Sequence, residues 1–391
     1  MSRGLQSCRR RWALPVMLFI AAAILIAGCG SSSSSSSTAS TGSSAATSDP
    51  ASSSVGAAEQ ALTAAQVAPT QIGVTVPLKT KPPAGKTVVW LNCDFVQCDE
   101  TLTAMKQAVA AAGLNLKVID YQSSDPSTLV TAFKQALLYH PIGVATSGLN
   151  SAVWGSQVFP LYRKAHVAIA EGLAGPQATN DVLVANLWNQ DDVAEGAKVL
   201  ADWVTATSNG KGHVVVMGVP DFPILGGFAS SFASYLKSIC PACSATTISE
   251  TIAEVGSPQT ANEPIVAAIQ RNRALNYFIT ADGTLNEGIP AALSGAGLNG
   301  IKIGGEQPSI ENMQDVLNGK EGAFIGENFN YYAWLLLDSI LRHYEGMTIP
   351  SGDGGMPLEL FTKANVGTPS YQMKAPAGYE QQFEKLWHVG Q

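Results

Sequence analysis

From Lys86 onward, the sequence alternates between short apolar runs and longer segments in which apolar residues recur at helical spacing. Residues 87–91 and 213–217 are apolar runs of strand length, and residues 190–207 show the helical period. Continuous apolar strands separated by amphipathic helices are typical of parallel sheets that helices cover on both faces. The alternation continues to residue 344 without a new start. We therefore predict an α/β fold built from two lobes of similar size.

The N-terminal residues predict export. Three arginines (residues 9–11) precede an apolar run over residues 12–28, as in the charged and apolar regions of a signal peptide. The segment Leu25-Ile26-Ala27-Gly28-Cys29 resembles a bacterial lipobox, in which the cysteine thiol is diacylglycerated and becomes the new N-terminus. Two acyl chains anchor a protein stably. We predict a lipoprotein signal peptide over residues 1–28, lipidation of Cys29 and a location on the extracytoplasmic face of the cell membrane. An uncleaved helical anchor and a soluble secreted protein are the alternatives.

Residues 29–85 are predicted to be a tether. Residues 31–37 are seven consecutive serines, and small residues dominate to residue 55. Such a segment buries too little apolar surface to offset its chain entropy. Residues 57–66 have the pattern of a short helix, and residues 69–85 contain four prolines. We expect the packed fold to begin only at residue 86.

Charge and motifs limit the function. The chain has 23 basic and 30 acidic residues, and removal of residues 1–28 leaves 19 and 30, a balance of −11. Such a chain is repelled by backbone phosphates, so we predict no nucleic-acid partner. No H-E-x-x-H metal motif, G-x-S-x-G nucleophile elbow or P-loop occurs. The sequence therefore predicts no metal, no cofactor and no enzymatic activity.

Four cysteines are left once the one in the signal peptide and the lipidated one are set aside. An even number of cysteines in an exported protein favours disulfides. The C-x4-C and C-x2-C spacings favour the local pairs Cys93–Cys98 and Cys240–Cys243. The second pair also has the spacing of a redox or zinc motif, although no thioredoxin-like context is evident around it.

Several segments, taken in order, resemble a known family. They are residues 88–92 with Phe95, residues 226–228, residues 279–282, residues 301–308 and residues 323–327. Over residues 86–391, the chain resembles the type I periplasmic binding proteins, the ribose-binding-like solute receptors of ABC transporters. The resemblance implies two Rossmann-like lobes with parallel sheets, joined by a three-crossover hinge, that close on a small-molecule solute. The implied N-terminal lobe is residues 86–187 plus about 328–355, and the C-terminal lobe is residues 188–327 plus about 356–391.

The resemblance also implies which residues bind the solute, because the cleft of this family lies at the carboxyl ends of the strands. The matching positions are Asn92, Asp94, Phe95, Ser147, Glu171, Phe222, Asp282, Glu306, Glu327 and Asn328. Carboxylates accept hydrogen bonds from sugar hydroxyls, and an aromatic ring packs on the C–H face of a sugar. We therefore expect a monomeric receptor that captures a sugar or polyol and delivers it to an ABC permease.

Two departures from the family pattern bear on the ligand. Ile224 occupies the position of a common arginine, and Glu306 that of a common aspartate. The resulting acidic, aromatic-lined cleft also suits a cationic or amino-bearing solute. A sensory lipoprotein that engages a membrane signalling partner uses the same closure, and a surface hydrolase is a third alternative.

Overall fold

The described part of the chain is residues 50–349, 355–370 and 373–390, as seen in a computed structural model. The predicted signal peptide, Cys29 and the serine-rich part of the tether lie outside these residues. No helix within the described ranges is long and apolar enough to span a bilayer.

Strands and helices alternate along these residues. The strands are β1 (Thr87–Asn92), β2 (Asn115–Asp120), β3 (Gly143–Ser147), β4 (Ala168–Gly172), β5 (Leu183–Leu187), β6 (His213–Gly218), β7 (Ser244–Ser249), β8 (Tyr277–Thr280), β9 (Lys302–Gly305), β10 (Ala323–Gly326) and β11 (Glu359–Thr362). The helices are α1 (Pro50–Ala65), α2 (Val96–Ala111), α3 (Pro126–Ala136), α4 (Ser151–Ala165), α5 (Gln190–Thr207), α6 (Pro223–Ile239), α7 (Pro258–Arg271), α8 (Ile289–Gly295), α9 (Ile310–Asn318), α10 (Phe329–Tyr344) and α11 (Tyr379–Leu386).

Two separate sheets form the two lobes. The first has the order β2-β1-β3-β4-β5, and the second has the order β11-β10-β9-β8-β6-β7. All pairings are parallel except that of β10 with β11. The predicted fold of two parallel-sheet α/β lobes is confirmed. Strand β11 was not predicted, because a four-residue edge strand carries too little periodic pattern to be read from sequence.

From β1 to β11, the chain crosses between the lobes at three places: between β5 and α5, between β10 and α10, and between α10 and β11. Helix α10 packs on α2 and on strands β3, β4 and β5 of the first lobe. It is buried almost all round, because α11 covers it from the other side through ring contacts such as Trp334 on Trp387. The predicted lobe boundaries stay a prediction. They assign α11 to the C-terminal lobe, whereas α11 packs on the first-lobe helix α10.

The segment predicted to be tether up to residue 85 is packed from α1 onward. Helix α1 lies on α5 of the second lobe, and Ala58 is buried in that contact. The side chain of Gln66 then donates to Thr362 Oγ1 on β11 at 3.0 Å. The predicted helix over residues 57–66 is present, and it starts earlier than expected.

Residues 66–80, here called the strap, continue from the second lobe to the first. Ile72, Val74 and Leu78 are buried against the core. The backbone N–H of Gly73 donates to the Tyr331 hydroxyl at 3.2 Å, and that of Leu78 donates to the Leu386 carbonyl at 2.9 Å. The prediction of a tether was wrong for this part of the chain. Composition measures how much apolar surface a segment carries, whereas three well-placed side chains are enough to hold an extended strap against an existing core.

Both predicted disulfides are present. Their Cα–Cα separations are 5.5 Å for Cys93–Cys98 and 5.2 Å for Cys240–Cys243. The second bridge closes the turn between α6 and β7, so the C-x2-C pair joins neighbouring elements in the lobe.

Candidate functional site

The carboxyl ends of strands from the two lobes face each other across a shared cleft. Gln97, in the first turn of α2, donates from Nε2 to Asp282 Oδ2 at 3.0 Å and to Thr284 Oγ1 at 3.2 Å. Phe95, just before α2, meets Phe222, just before α6, edge to face with ring centroids 5.5 Å apart. Each pair joins a first-lobe residue to a second-lobe residue, so the two walls are in direct contact.

A cavity of about 80 Å³ lies between these walls. Its lining residues are Cys93, Phe95, Gln97, Cys98, Ser147, Gly148, Leu173, Phe222, Ile224, Leu225, Asp282, Leu285 and Gln307. Small-ligand sites are usually about 300–1,000 Å³. The lobes must therefore separate further to admit a solute, and this conformation is a closed one.

The loop that carries Phe95 is itself closed by the Cys93–Cys98 bridge. Cys93 directly follows β1 and Cys98 lies in the first turn of α2, so the bridge spans the strand-to-helix turn. Asp94, within this loop, accepts a hydrogen bond from the Ser123 backbone at 3.0 Å. The covalent closure and this contact fix where Phe95 is presented to the other lobe.

Other predicted first-lobe residues form hydrogen bonds within their own lobe. Asn92 accepts from Trp90 Nε1 at 2.9 Å and donates to the carboxylates of Asp99 and Asp120. The hydroxyl groups of Ser147 and Tyr332 are 2.7 Å apart. These contacts lock the strand ends in place.

Glu171, at the end of β4, is fully buried. Gln177 Nε2 donates to its Oε2 atom at 2.7 Å, while its Oε1 atom accepts no hydrogen bond. Burial raises the pKa of Glu171 to about 8, and the hydrogen bond from Gln177 opposes that rise. Gln177 also lines a second cavity, of about 490 Å³, together with Asn186 and Gln190.

The second-lobe acids differ in how many partners they have. Asp282 accepts from the backbone N–H of Thr284 at 2.9 Å, from its hydroxyl at 2.6 Å, and from Gln97. Burial still raises the pKa of Asp282 to about 6. Glu306 is 1% exposed, and neither of its carboxylate oxygens accepts a hydrogen bond. Glu327 is also buried, and its Oε2 atom accepts none.

The lack of hydrogen-bond partners affects the pKa values of Glu306 and Glu327. Burial, and then the negative charges of Glu327, Asp282 and Asp192, raise the pKa of Glu306 well above its ordinary value. Burial and the charge of Asp282 do the same for the pKa of Glu327, while hydrogen bonds from Trp188 and the Gln307 backbone oppose the rise. No charge of opposite sign offsets these effects at either group.

The structure therefore divides the predicted residues. Phe95, Ser147, Phe222 and Asp282 line the cavity between the lobes. Glu306 precedes the cavity residue Gln307 in the chain, and its charge interacts with those of Asp282 and Glu327. The remaining four hold backbone or side-chain contacts behind this surface: Asn92, Asp94, Glu171 and Asn328, the last capping α10 at the Tyr331 backbone.

Sequence reasoning missed Gln97 and Gln307, which are cavity residues with amide side chains. Gln97 lies two residues after the predicted Phe95, and Gln307 lies one residue after the predicted Glu306. Their sequence signal is a polar side chain in the turn that follows a strand. It also missed that the disulfide itself lines the cavity. Ile224, noted as a departure from the family pattern, lies in the wall and makes it apolar at that point.

Cofactor and metal chemistry receives no support from the described ranges. No group of three or more His, Cys, Asp or Glu side chains among them is arranged to hold a metal ion. Residues 295–300 have the spacing G-x-G-x-x-G, but they follow α8 and precede β9, whereas dinucleotide binding needs this motif after a strand and before a helix.

Comparisons with known proteins agree with this geometry. Residues 96–347 match the profile described as a periplasmic binding protein domain. A search of curated proteins found no significant match.

Solved structures share the fold at low sequence identity. An ABC sugar transporter subunit from Rhodobacter sphaeroides is 18% identical with a TM-score of 0.62, covering 72% of this chain and 99% of its own. A carbohydrate transporter solute-binding protein from Agrobacterium radiobacter, in complex with D-arabinose, is 16% identical with a TM-score of 0.62, covering 73% and 97%. A 5-methylthioribose transporter solute-binding protein from Thermotoga lettingae is 12% identical with a TM-score of 0.65, covering 80% and 99%.

Proposed function

Because the chain belongs to the periplasmic binding protein domain family, we propose that it is a solute receptor that captures a sugar or polyol between its lobes and delivers it to an ABC permease. One observation carries the proposal: residues at the strand ends of both lobes, Gln97 with Asp282 and Phe95 with Phe222, meet at one cleft. The structural neighbours named for D-arabinose and 5-methylthioribose support a sugar as the solute.

Binding works through closure. A solute that touches both walls lowers the free energy of the closed form relative to the open form, because only the closed form makes all the contacts. A shift from mostly open to mostly closed needs about 5 kcal/mol of differential affinity. A permease that recognises the closed shape then receives loaded receptors selectively.

The proposal includes a lipid anchor at Cys29, a monomeric receptor and a short tether. Since the packed chain begins at α1, only residues 30–49 separate the anchor from it. Such a short tether keeps the receptor at high effective concentration near a membrane partner. Substitution Cys29→Ser is expected to abolish labelling by palmitate and to release the protein from the membrane fraction. Retention of Cys29→Ser with the membrane would contradict the anchor.

The solute proposal is tested by thermal shift with the full chain against pentoses, hexoses, polyols and 5-methylthioribose. A ligand at about 100-fold its Kd stabilises the folded state by about 2.7 kcal/mol, which moves the melting temperature measurably. Phe222→Ala should weaken the hit, since this ring is in the cleft. Phe159→Ala is the matched control, since Phe159 packs on Trp154 in the first lobe. If no member of the panel shifts the midpoint, the proposal is wrong.

A further inference from the structure

Glu306 and Glu327 are two buried carboxylates with oxygen atoms that accept no hydrogen bond. Both oxygens of Glu306 and the Oε2 atom of Glu327 accept no hydrogen bond. The residues are 1% and 6% exposed, so bulk solvent does not reach these oxygens. Buried polar atoms in native proteins are nearly always hydrogen-bonded, and such exceptions need an explanation.

The carboxyl group of Glu306 fits against the fold because a glycine faces it. It reaches Gly196 on α5, where a β-carbon would come within 1.9 Å of the Oε1 atom. Any residue larger than glycine there would displace the carboxylate. Glycine at position 196 therefore leaves room for the Glu306 carboxylate.

Among the described residues, no positive charge acts on the pair. The charged groups that act on them are Asp282 and Asp192, both acids. Within the described residues, the ion pairs lie elsewhere: Arg163–Asp181, Lys198–Glu195, Lys320–Asp315 and Arg342–Asp338. An uncompensated buried carboxylate is strongly destabilising, so several together call for a cation or for protons.

Three kinds of group can occupy such a position. A metal ion is disfavoured, because the described side chains offer no group of three suitable ligands. Neutral hydroxyls satisfy the oxygens as hydrogen-bond donors but add no positive charge. A protonated amine supplies both hydrogen-bond donors and positive charge, since an ammonium group carries three N–H donors and a full charge.

We propose that the solute carries a basic nitrogen, as an amino sugar does, and that Glu306 and Glu327 bind its ammonium group. Asp282, whose negative charge acts on both acids, and Gln307, which follows Glu306 in the chain, line the cavity. Phe95 and Phe222 provide an apolar wall for the C–H face of the ring. This inference rests on the proposed function and narrows its solute from sugars in general to amino-bearing ones.

Matched ligand pairs test it with the full wild-type chain. The pairs are D-glucose with D-glucosamine and D-galactose with D-galactosamine, with the N-acetyl derivatives as neutral controls and putrescine as an amine without hydroxyls. Calorimetry at pH 7 should show at least one amino sugar binding ten times or more tightly than its neutral parent. N-acetylation should remove that gain, because the amide nitrogen is uncharged.

Variants locate the effect. Glu306→Gln and Glu327→Gln should each lower affinity for the amino sugar at least tenfold more than they lower affinity for its neutral parent. Glu321→Gln is the matched control, since Glu321 is a buried acid held by Asn312 away from the cleft. It should leave both affinities unchanged.

The outcomes separate the two proposals. Neutral sugars that bind as tightly as their amino counterparts would overturn this inference and leave the sugar receptor intact. Binding of putrescine alone would overturn the sugar receptor and support the basic nitrogen. No binding by any member would overturn both. These results come from wild-type protein, so they do not depend on the folding of any variant.

Discussion

The strand ends of the two lobes carry similar polar residues, but they use them differently. In the first lobe, Asn92, Asp94 and Ser147 are each engaged by groups of their own lobe. In the second lobe, Glu306 has no hydrogen-bond partner at all. These three first-lobe groups are thus satisfied within the fold, whereas Glu306 keeps unused hydrogen-bonding capacity.

This difference indicates a division of labour. Satisfied polar groups stabilise the fold, whereas unsatisfied buried ones destabilise it until something binds them. Replacing Asn92 or Asp94 should therefore lower stability with little effect on affinity. Replacing Glu306 should raise stability and weaken binding.

The largest expected effect is on the pH dependence of stability. Glu306 and Glu327 keep their protons in the folded chain at pH values where the unfolded chain has lost them, because burial raises their folded pKa. The folded state then binds more protons, so stability falls as pH rises above about 4.5, by about 1.4 kcal/mol per pH unit for each such proton.

The loss of stability continues with rising pH for as long as the folded group keeps its proton. Glu171, with a pKa of about 8, contributes in the same direction and has the Gln177 partner. Urea unfolding of the ligand-free chain at several pH values measures the slope. Glu306→Gln should flatten it more than Glu171→Gln, and the reverse order would break the contrast between the lobes.

The second-largest expected effect is a loss of folding stability when Asn92 is replaced. Replacement by leucine leaves Trp90 Nε1 buried without its acceptor and deprives Asp99 and Asp120 of a donor. An orphaned buried donor costs about 1–3 kcal/mol. We expect Asn92→Leu to lose about 3 kcal/mol of stability in denaturant titrations, with affinity for the bound sugar within threefold of wild type. A stable variant with lost affinity would place Asn92 in the binding surface instead.

A smaller effect of opposite sign is expected at Glu306. Glu306→Gln removes the charge but keeps the shape, so at pH 8 the ligand-free chain should gain about 1–2 kcal/mol in stability, less than the full linkage value because the amide of glutamine also remains unsatisfied. At pH 5, where the acid is already protonated, the gain should disappear. Equal gains at both pH values would show that charge is not the cause.

The smallest effect tests contact between the lobes. Phe95 and Phe222 meet edge to face, an interaction worth about 0.5–1.5 kcal/mol. A double-mutant cycle with Phe95→Ala and Phe222→Ala should give a coupling energy of about 1 kcal/mol in thermal unfolding with sugar bound. Coupling near zero with sugar bound would mean that the closed form keeps these rings apart.

Much of the fold could be predicted because it depends on local pattern. Strands β1 and β6 and helix α5 match their predicted residues within one position, since continuous apolar runs and helical periodicity are local signals. The two disulfides follow from spacings too short to favour other partners. Strand β11 and the strap could not be predicted, because each is held by partners far away in the chain.

The candidate site shows the same limit at the level of side chains. The sequence by itself determined which acids and aromatic rings stand at the strand ends, and that the chain is an α/β binder with an excess of negative charge. Only the tertiary structure decided which of those acids are engaged and which are not. Gln97 reaches Asp282 across 185 residues of sequence, while Glu306 finds no partner. Hydrogen bonding and desolvation depend on what surrounds a group in space, and that is fixed only when the two lobes pack together.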